Sequence, residues 1–174
     1  MQIRTRMCMS LDGYVTTPDG WPAQLADPTF SPESFGFAEF QRRCDAVLMG
    51  RTTFEPALGA DRWPWADLDV FVLGSRRPPG TPEDVVVESD PARLLDRIRD
   101  TNRGGDVHLV GGPRTIETFR SLGALDKLGV IVLPLLLGEG MQLTPSLSAD
   151  TALKLESQSA LGTGSVELVY AVTG

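Results

Sequence analysis

The stretch Val107-His108-Leu109-Val110-Gly111-Gly112-Pro113-Arg114-Thr115 changes character twice. Val107 to Val110 reads as a short buried strand. The glycine pair ends it. Pro113 follows at the first position of a helix, where its missing N–H costs no hydrogen bond. Ile116, Phe119 and Leu122 then recur on one predicted helix face. Two earlier segments break in the same way: Val70 to Leu73 runs into Gly74-Ser75-Arg76-Arg77, and Ala46 to Met49 into Gly50-Arg51-Thr52-Thr53.

Working outward, strand and helix signals alternate, which predicts an α/β protein. Residues 2–10 read as the first strand, stopped by the turn dipeptide Asp12-Gly13. Thr17 to Pro32 reads as mostly loop. Ser31-Pro32-Glu33 carries a helix-start pattern, with the helix expected to reach about Arg43. Residues 51–58 predict a short helix. Val85 to Val87 predicts a strand, and Asp90-Pro91 starts a helix burying Leu94, Leu95 and Ile98. Leu128 to Leu137 is an apolar strand with a bend or edge at Pro134. Leu153 to Ser159 and Val166 to Val172 alternate around Gly162 and predict an antiparallel hairpin at the sheet edge.

The chain has 174 residues, 41% hydrophobic and 22% charged, which fits one globular domain spanning 1–174. Its net charge of −7 argues against nucleic acid and anionic membrane surfaces as partners. No apolar run is long enough to span a bilayer. The opening MQIRTRMCMS lacks the apolar core and cleavage site of a secretory signal. With only Cys8 and Cys44 there is no disulfide framework, and a cytoplasmic location is expected. A single histidine, His108, argues against a His/Cys zinc site, and no metal is expected. Its place inside a predicted strand reads as packing.

Against this acidic background, Arg51, Arg76, Arg77 and Arg114 gather just after three strand ends. In α/β sheets ligands bind at the carboxyl ends of strands. Glycine admits a ligand close to the backbone, helix starts offer N–H groups to anions, and arginine presents a fork suited to phosphate. The simplest ligand for this pattern is extended and carries several phosphates, such as a dinucleotide. Neither G-x-G-x-x-G nor the P-loop motif is present.

Four segments occur in this order in one superfamily: Ser10-Leu11-Asp12-Gly13-Tyr14-Val15, Leu48-Met49-Gly50-Arg51-Thr52-Thr53-Phe54-Glu55, Leu109-Val110-Gly111-Gly112, and Pro134-Leu135-Leu136-Leu137-Gly138-Glu139-Gly140. The chain thus resembles the dihydrofolate reductase-like proteins, which include dihydrofolate reductase and the reductase domain of riboflavin biosynthesis. The resemblance implies a three-layer α/β fold whose mostly parallel, twisted sheet has about eight strands. It implies NADPH bound across the strand ends and hydride transfer to a C=N or C=O of a small heterocyclic or sugar-like substrate. A homodimer is possible, as in riboflavin-type members. The alternative is an NADP(H)-binding module without turnover.

Carried over by position, the resemblance puts Gly50, Arg51, Thr52 and Thr53 on the pyrophosphate and adenosine side. Ser75 and Arg76 flank the ribose and its 2′-phosphate. Gly111 and Gly112 share a cis peptide after Val110. Pro113 opens a helix whose Arg114, Thr115 and Ile116 amides cradle phosphate. Cys8 and Val15 lie against the nicotinamide. Val110 stands where riboflavin-pathway reductases commonly carry glutamate. Ser10, Trp21, Phe37, Phe54, Leu137 and Gly138 are the candidate substrate lining. Asp12 and Glu33 are the candidate proton donors. Asp12 is also explained by an Asp-Gly turn, and Glu33 by a helix N-terminal charge.

Overall fold

The predicted first strand is two strands, β1 (Ile3–Thr5) and β2 (Met7–Ser10), broken at Arg6. This is seen in a computed structural model that describes residues 1–143, 151–162 and 164–173. The other strands are β3 (Cys44–Gly50), β4 (Asp69–Leu73), β5 (Val86–Glu88), β6 (Asp106–Gly111), β7 (Lys127–Leu133), β8 (Ala152–Ala160) and β9 (Val166–Thr173). They form one sheet in the order β5-β4-β3-β6-β1-β7-β9-β8, with β2 on β7. All pairings are parallel except β7–β9 and β9–β8, so the C-terminal hairpin closes one edge as expected.

The helices are α1 (Phe37–Gln41), α2 (Arg51–Phe54), α3 (Pro91–Thr101) and α4 (Pro113–Ser121). In α3, Asp90 caps the start by accepting from the N–H groups of Ala92 and Arg93. Leu94, Leu95 and Ile98 of α3 and Ile116 and Phe119 of α4 pack in one cluster with Leu48, Val107 and Leu109 of the sheet. The alternate residues of β3 and β4, such as Val47, Met49, Val70 and Val72, belong to a second cluster with Phe54 and Trp65. Period-two alternation therefore buries both faces of the central strands, giving three layers.

Three expectations are corrected. The helix expected from Ser31-Pro32-Glu33 to Arg43 is confined to Phe37–Gln41. Ser31 and Ser34 bond each other and the local backbone, and such side chains compete with helical bonding. Leu122 is 42% exposed, because α4 ends at Ser121 and the chain turns through Gly123 at φ 65°. The Leu128–Leu137 strand stops at Leu133, since Pro134 has no N–H for the ladder.

His108 lies opposite Arg4 of β1 and Val47 of β3, in the middle of the sheet. It is 5% exposed, and its ring meets that of Phe40 edge-on at 4.8 Å. Burial, aided by the charges of Arg6 and Arg4, pushes the imidazole down to about 4. The folded state thus holds a neutral ring, while an unfolded chain would protonate it below its ordinary value of 6.5. This contribution is complete above that value and is lost as pH falls toward about 4, up to about 3 kcal/mol. Urea unfolding between pH 7.5 and 4.5 should show His108→Gln losing stability less steeply than the parent; parallel curves would reject the assignment.

Candidate functional site

The carboxyl ends of β4, β3 and β6 are neighbours. Gly50 is paired with Leu73, and Met49 with Gly111. The crossings that follow them touch. A Cβ added at Gly50 would stand 2.5 Å from Thr115 Oγ1, and one at Gly74 would stand 3.0 Å from Arg51 Cβ. One at Gly112 would lie 3.8 Å from Thr53 Oγ1. The three glycine-ended segments therefore form one continuous rim, and Gly50 and Gly74 are closely covered by side chains from the neighbouring segment.

The Gly111-Gly112 peptide is cis, and Gly111 has φ 128°, a conformation that L side chains rarely adopt. Pro113 is the first residue of α4, with Gly112 as N-cap. The Thr115 and Ile116 N–H groups both donate to the Gly112 carbonyl, at 2.9 and 3.1 Å. This corrects the expected amide cradle: the helix's first internal bonds use two of its three donors, and Ile116 itself is fully buried in the core.

A cleft of about 370 Å³ opens below this rim. Of the residues expected around the cofactor, Cys8, Val15, Thr52, Thr53, Val110, Gly112, Pro113, Arg114 and Thr115 line it. Cys8 is 4% exposed, and burial raises its thiol to about 12, so it packs as an uncharged apolar group. Ser75 and Arg76 stand exposed beyond the end of β4. Arg76 Nη2 lies 3.4 Å from Glu55 Oε1, which also accepts from Arg51 Nη1 at 2.7 Å. Arg77 turns back onto the carbonyls of Val85 and Pro82 in its own loop.

A second, more open cavity of about 620 Å³ shares Gln24, Phe37, His108 and Val110 with the first. Trp63, Trp65 and Phe30 also line it. Among the expected substrate residues, only Phe37 lines either space. Ser10 is fully buried, and Phe54 is fully buried in the cluster with Trp65 and Trp63. Trp21 is exposed.

Leu137 and Gly138 donate their N–H groups to the Asp12 carboxylate, with Gly138 at 2.8 Å. Ser10 Oγ donates to Asp12 at 2.5 Å. These bonds, Ser10 first, hold the Asp12 carboxyl below its ordinary range and tie the Asp12-Gly13 turn to the segment after β7. Glu33 lies exposed in the turns before α1. Neither carboxylate lines either of these two cavities.

Sequence reading did not single out Arg6. It is 7% exposed, lines the first cleft and sits 4.8 Å over the Phe37 ring. Its Nε donates to Glu167 at 2.7 Å, and Nη2 donates to the Phe35 carbonyl. Nη1 has no hydrogen-bond partner among the described residues. The signal was present as a basic residue followed directly by the apolar run Met7-Cys8-Met9 within the predicted first strand. Within the same residues, no group of three or more His, Cys, Asp or Glu is placed to hold a metal, and no helix is long and apolar enough to cross a membrane.

The family model described as the RibD C-terminal domain matches residues 69–166. The uncharacterized protein YwjB of Bacillus subtilis (strain 168) is 26% identical over 165 residues, covering 94% of each chain. A protein from Shewanella sp. PV-4, provisionally assigned to riboflavin biosynthesis, superposes over the whole of both chains with a TM-score of 0.82 at 22% identity. Dihydrofolate reductase from Enterococcus faecalis, solved with NADP(H), superposes over 99% of this chain and 97% of its own, with a TM-score of 0.72 at 17% identity. These structural likenesses show a shared dihydrofolate reductase-like fold.

The contact between Gly50 and Thr115 is directly testable. Gly50→Ala forces a methyl group against Thr115 Oγ1 and should destabilise the chain by about 1–3 kcal/mol. Thr115→Ala in the same chain removes that oxygen and should recover most of the loss. A double-mutant cycle by thermal unfolding reads the coupling, and strictly additive effects would refute the contact.

Proposed function

The chain belongs to the RibD C-terminal domain family, and from that membership and the cleft we propose that it is an NADPH-dependent reductase acting on a small substrate. Family and fold support a reductase-type function in general. The observation that carries the finer reading is the continuous rim formed by the three glycine-ended crossings. It offers close backbone approach at Gly112, the Arg114 amide at a helix start, and three arginines, Arg51, Arg76 and Arg114. These residues fit a dinucleotide phosphate chain, with Arg76 at a 2′-phosphate. Gly112 and Thr53 lie on neighbouring segments and both line the first cleft, so a ligand there would meet both.

When bound, the nicotinamide coenzyme supplies a hydride. The chain supplies the surroundings. Cys8 and Val15 present an apolar, uncharged wall, and the protonated thiol takes no part in covalent chemistry. The second cavity receives the substrate, with the ring of Phe37 beside it, while Arg6, whose Nη1 has no partner among the described residues, lines the first cleft that it adjoins. Orientation of a C=N or C=O carbon toward the first cleft is the main contribution of these walls. Asp12 is ionised and fully engaged and Glu33 stands apart, whereas Asp67 lines the second cavity, so the reading assigns proton delivery to Asp67 or to water at the cavity mouth.

A second reading, NADP(H) binding without turnover, is favoured by the lack of a carboxylate among the first cleft's described lining residues, Asp67 lining the second cavity and not the first. Two measurements separate the readings. Energy transfer from tryptophan to the reduced coenzyme reports binding, and loss of its absorbance with folates, pterins, aminopyrimidines or small carbonyls reports turnover. Binding with no consumption across the panel supports the module; no binding at all rejects both. Arg76→Ala should weaken NADPH about tenfold while leaving NADH within about twofold. Equal losses would remove Arg76 from the 2′-phosphate.

A further inference from the structure

Glu55 closes the quoted Gly50–Glu55 segment, yet the reading above gives it no role. Its Oε1 accepts from Arg51 Nη1 at 2.7 Å and lies 3.4 Å from Arg76 Nη2. The two contacts are unequal. Arg51 is largely covered, with its Cβ, Cγ and Cδ packed over Gly74, and its bond to Glu55 joins residues one helical turn apart. Arg76 has a side chain 68% exposed, and its ion pair with Glu55 is long. A carboxylate thus already occupies the guanidinium groups that the proposed function assigns to phosphate.

We propose that Glu55 is a specificity-determining residue that tempers the chain's preference for a 2′-phosphate, because its carboxylate already contacts Arg76 and the phosphate must displace or share it. The proposal rests on the NADPH reading above. Two effects compete. Glu55 orders Arg76, which would favour a ligand, and it places a negative charge beside an incoming dianion, which opposes one. An exposed, long ion pair orders a side chain only weakly. Repulsion between a carboxylate and a phosphate that share one guanidinium acts over a few ångströms and is the larger effect. The Glu55 charge therefore lowers affinity for 2′-phosphorylated ligands, whereas ligands lacking that group avoid most of the repulsion.

Glu55→Gln keeps the side-chain shape and an acceptor oxygen but removes the charge. Calorimetric titration with NADPH, NADH, adenosine 2′,5′-bisphosphate and AMP should show the 2′-phosphorylated pair binding about fivefold tighter than to the parent. NADH and AMP should change less than about twofold, and the gain should shrink as salt is raised toward 1 M. Glu55→Ala should move selectivity in the same direction, which separates charge from a local packing defect in either variant. Weaker NADPH binding, equal changes in all four ligands, or a gain insensitive to salt would overturn the proposal. A parent that binds NADPH but gives no selective gain in Glu55→Gln sinks this inference alone. A parent that binds none of the four ligands sinks the NADPH reading, and the inference falls with it.

Discussion

The cleft depends on one backbone contact, that of Thr5 with Gly129. Thr5 Oγ1 accepts from the Gly129 N–H at 3.1 Å and donates to the Gly129 carbonyl at 3.2 Å. A buried hydroxyl thus satisfies two backbone groups where the strand ladder is interrupted. The approach is so close that a Cβ at Gly129 would lie 2.6 Å from the Thr5 carbonyl oxygen, so only glycine fits without rearrangement. The register toward β7 is preserved across the break, with Arg4 opposite Lys127 and Met7 opposite Val130. The register toward β6 is not: pairing stops at Thr5 and Leu109. Beyond that point the sheet parts, and the first cleft takes residues from both sides of the gap: Met7 and Cys8 from β2, Val110 and Gly112 from the end of β6.

Parting a sheet exposes polar backbone and creates space that side chains must line. Arg6, at the break, meets part of this demand. Its guanidinium reaches Glu167 on β9 and the carbonyl of Phe35, and it lies over the Phe37 ring, so one buried cation ties the C-terminal hairpin to the segment around α1. A buried ion pair of this kind contributes little net stability, because desolvation offsets attraction, but leaving Glu167 in place without Arg6 would be costly. The aromatic neighbours recover part of the desolvation through cation–π contact. The same arrangement fixes Phe37, one of four residues that wall both cavities. Fold specification and site construction therefore use the same side chain.

Much of the fold was legible because it rests on periodicity. The β3, β4 and β6 segments are short apolar runs closed by glycine or by a glycine-led turn, and their adjacency follows from parallel α/β topology. The rim was legible for the same reason, since glycine, arginine and a helix-starting proline each act through local chemistry. The break at Arg6 was not legible. The nine-residue run from Gln2 to Ser10 carries no glycine or proline and reads as one strand, and the tertiary hook of Thr5 on Gly129 divides it. The region before α1 failed for a related reason: Ser31-Pro32-Glu33 carries a helix-start pattern, but Ser31 and Ser34 satisfy each other in turns instead. Substrate lining was hardest to read. Ser10 and Phe54 sit beside recognisable motifs, yet the structure spends them on a turn and on a core cluster.

Charge accounts for how an acidic chain can offer a site for a polyanion. The net charge of −7 repels phosphates at a distance, but screening confines that repulsion to about 8–10 Å at physiological salt. Within that range the local balance governs. Around the rim, Arg51 and Arg76 both contact the Glu55 carboxylate, and Arg114 lines the first cleft. Arg77, which looked equivalent in sequence, is withdrawn by bonds to its own loop. Asp12, the acidic residue of the first motif, is committed to Leu137 and Gly138 and lines neither cavity. Short-range placement of a few side chains, rather than overall charge, thus sets what the cleft can hold.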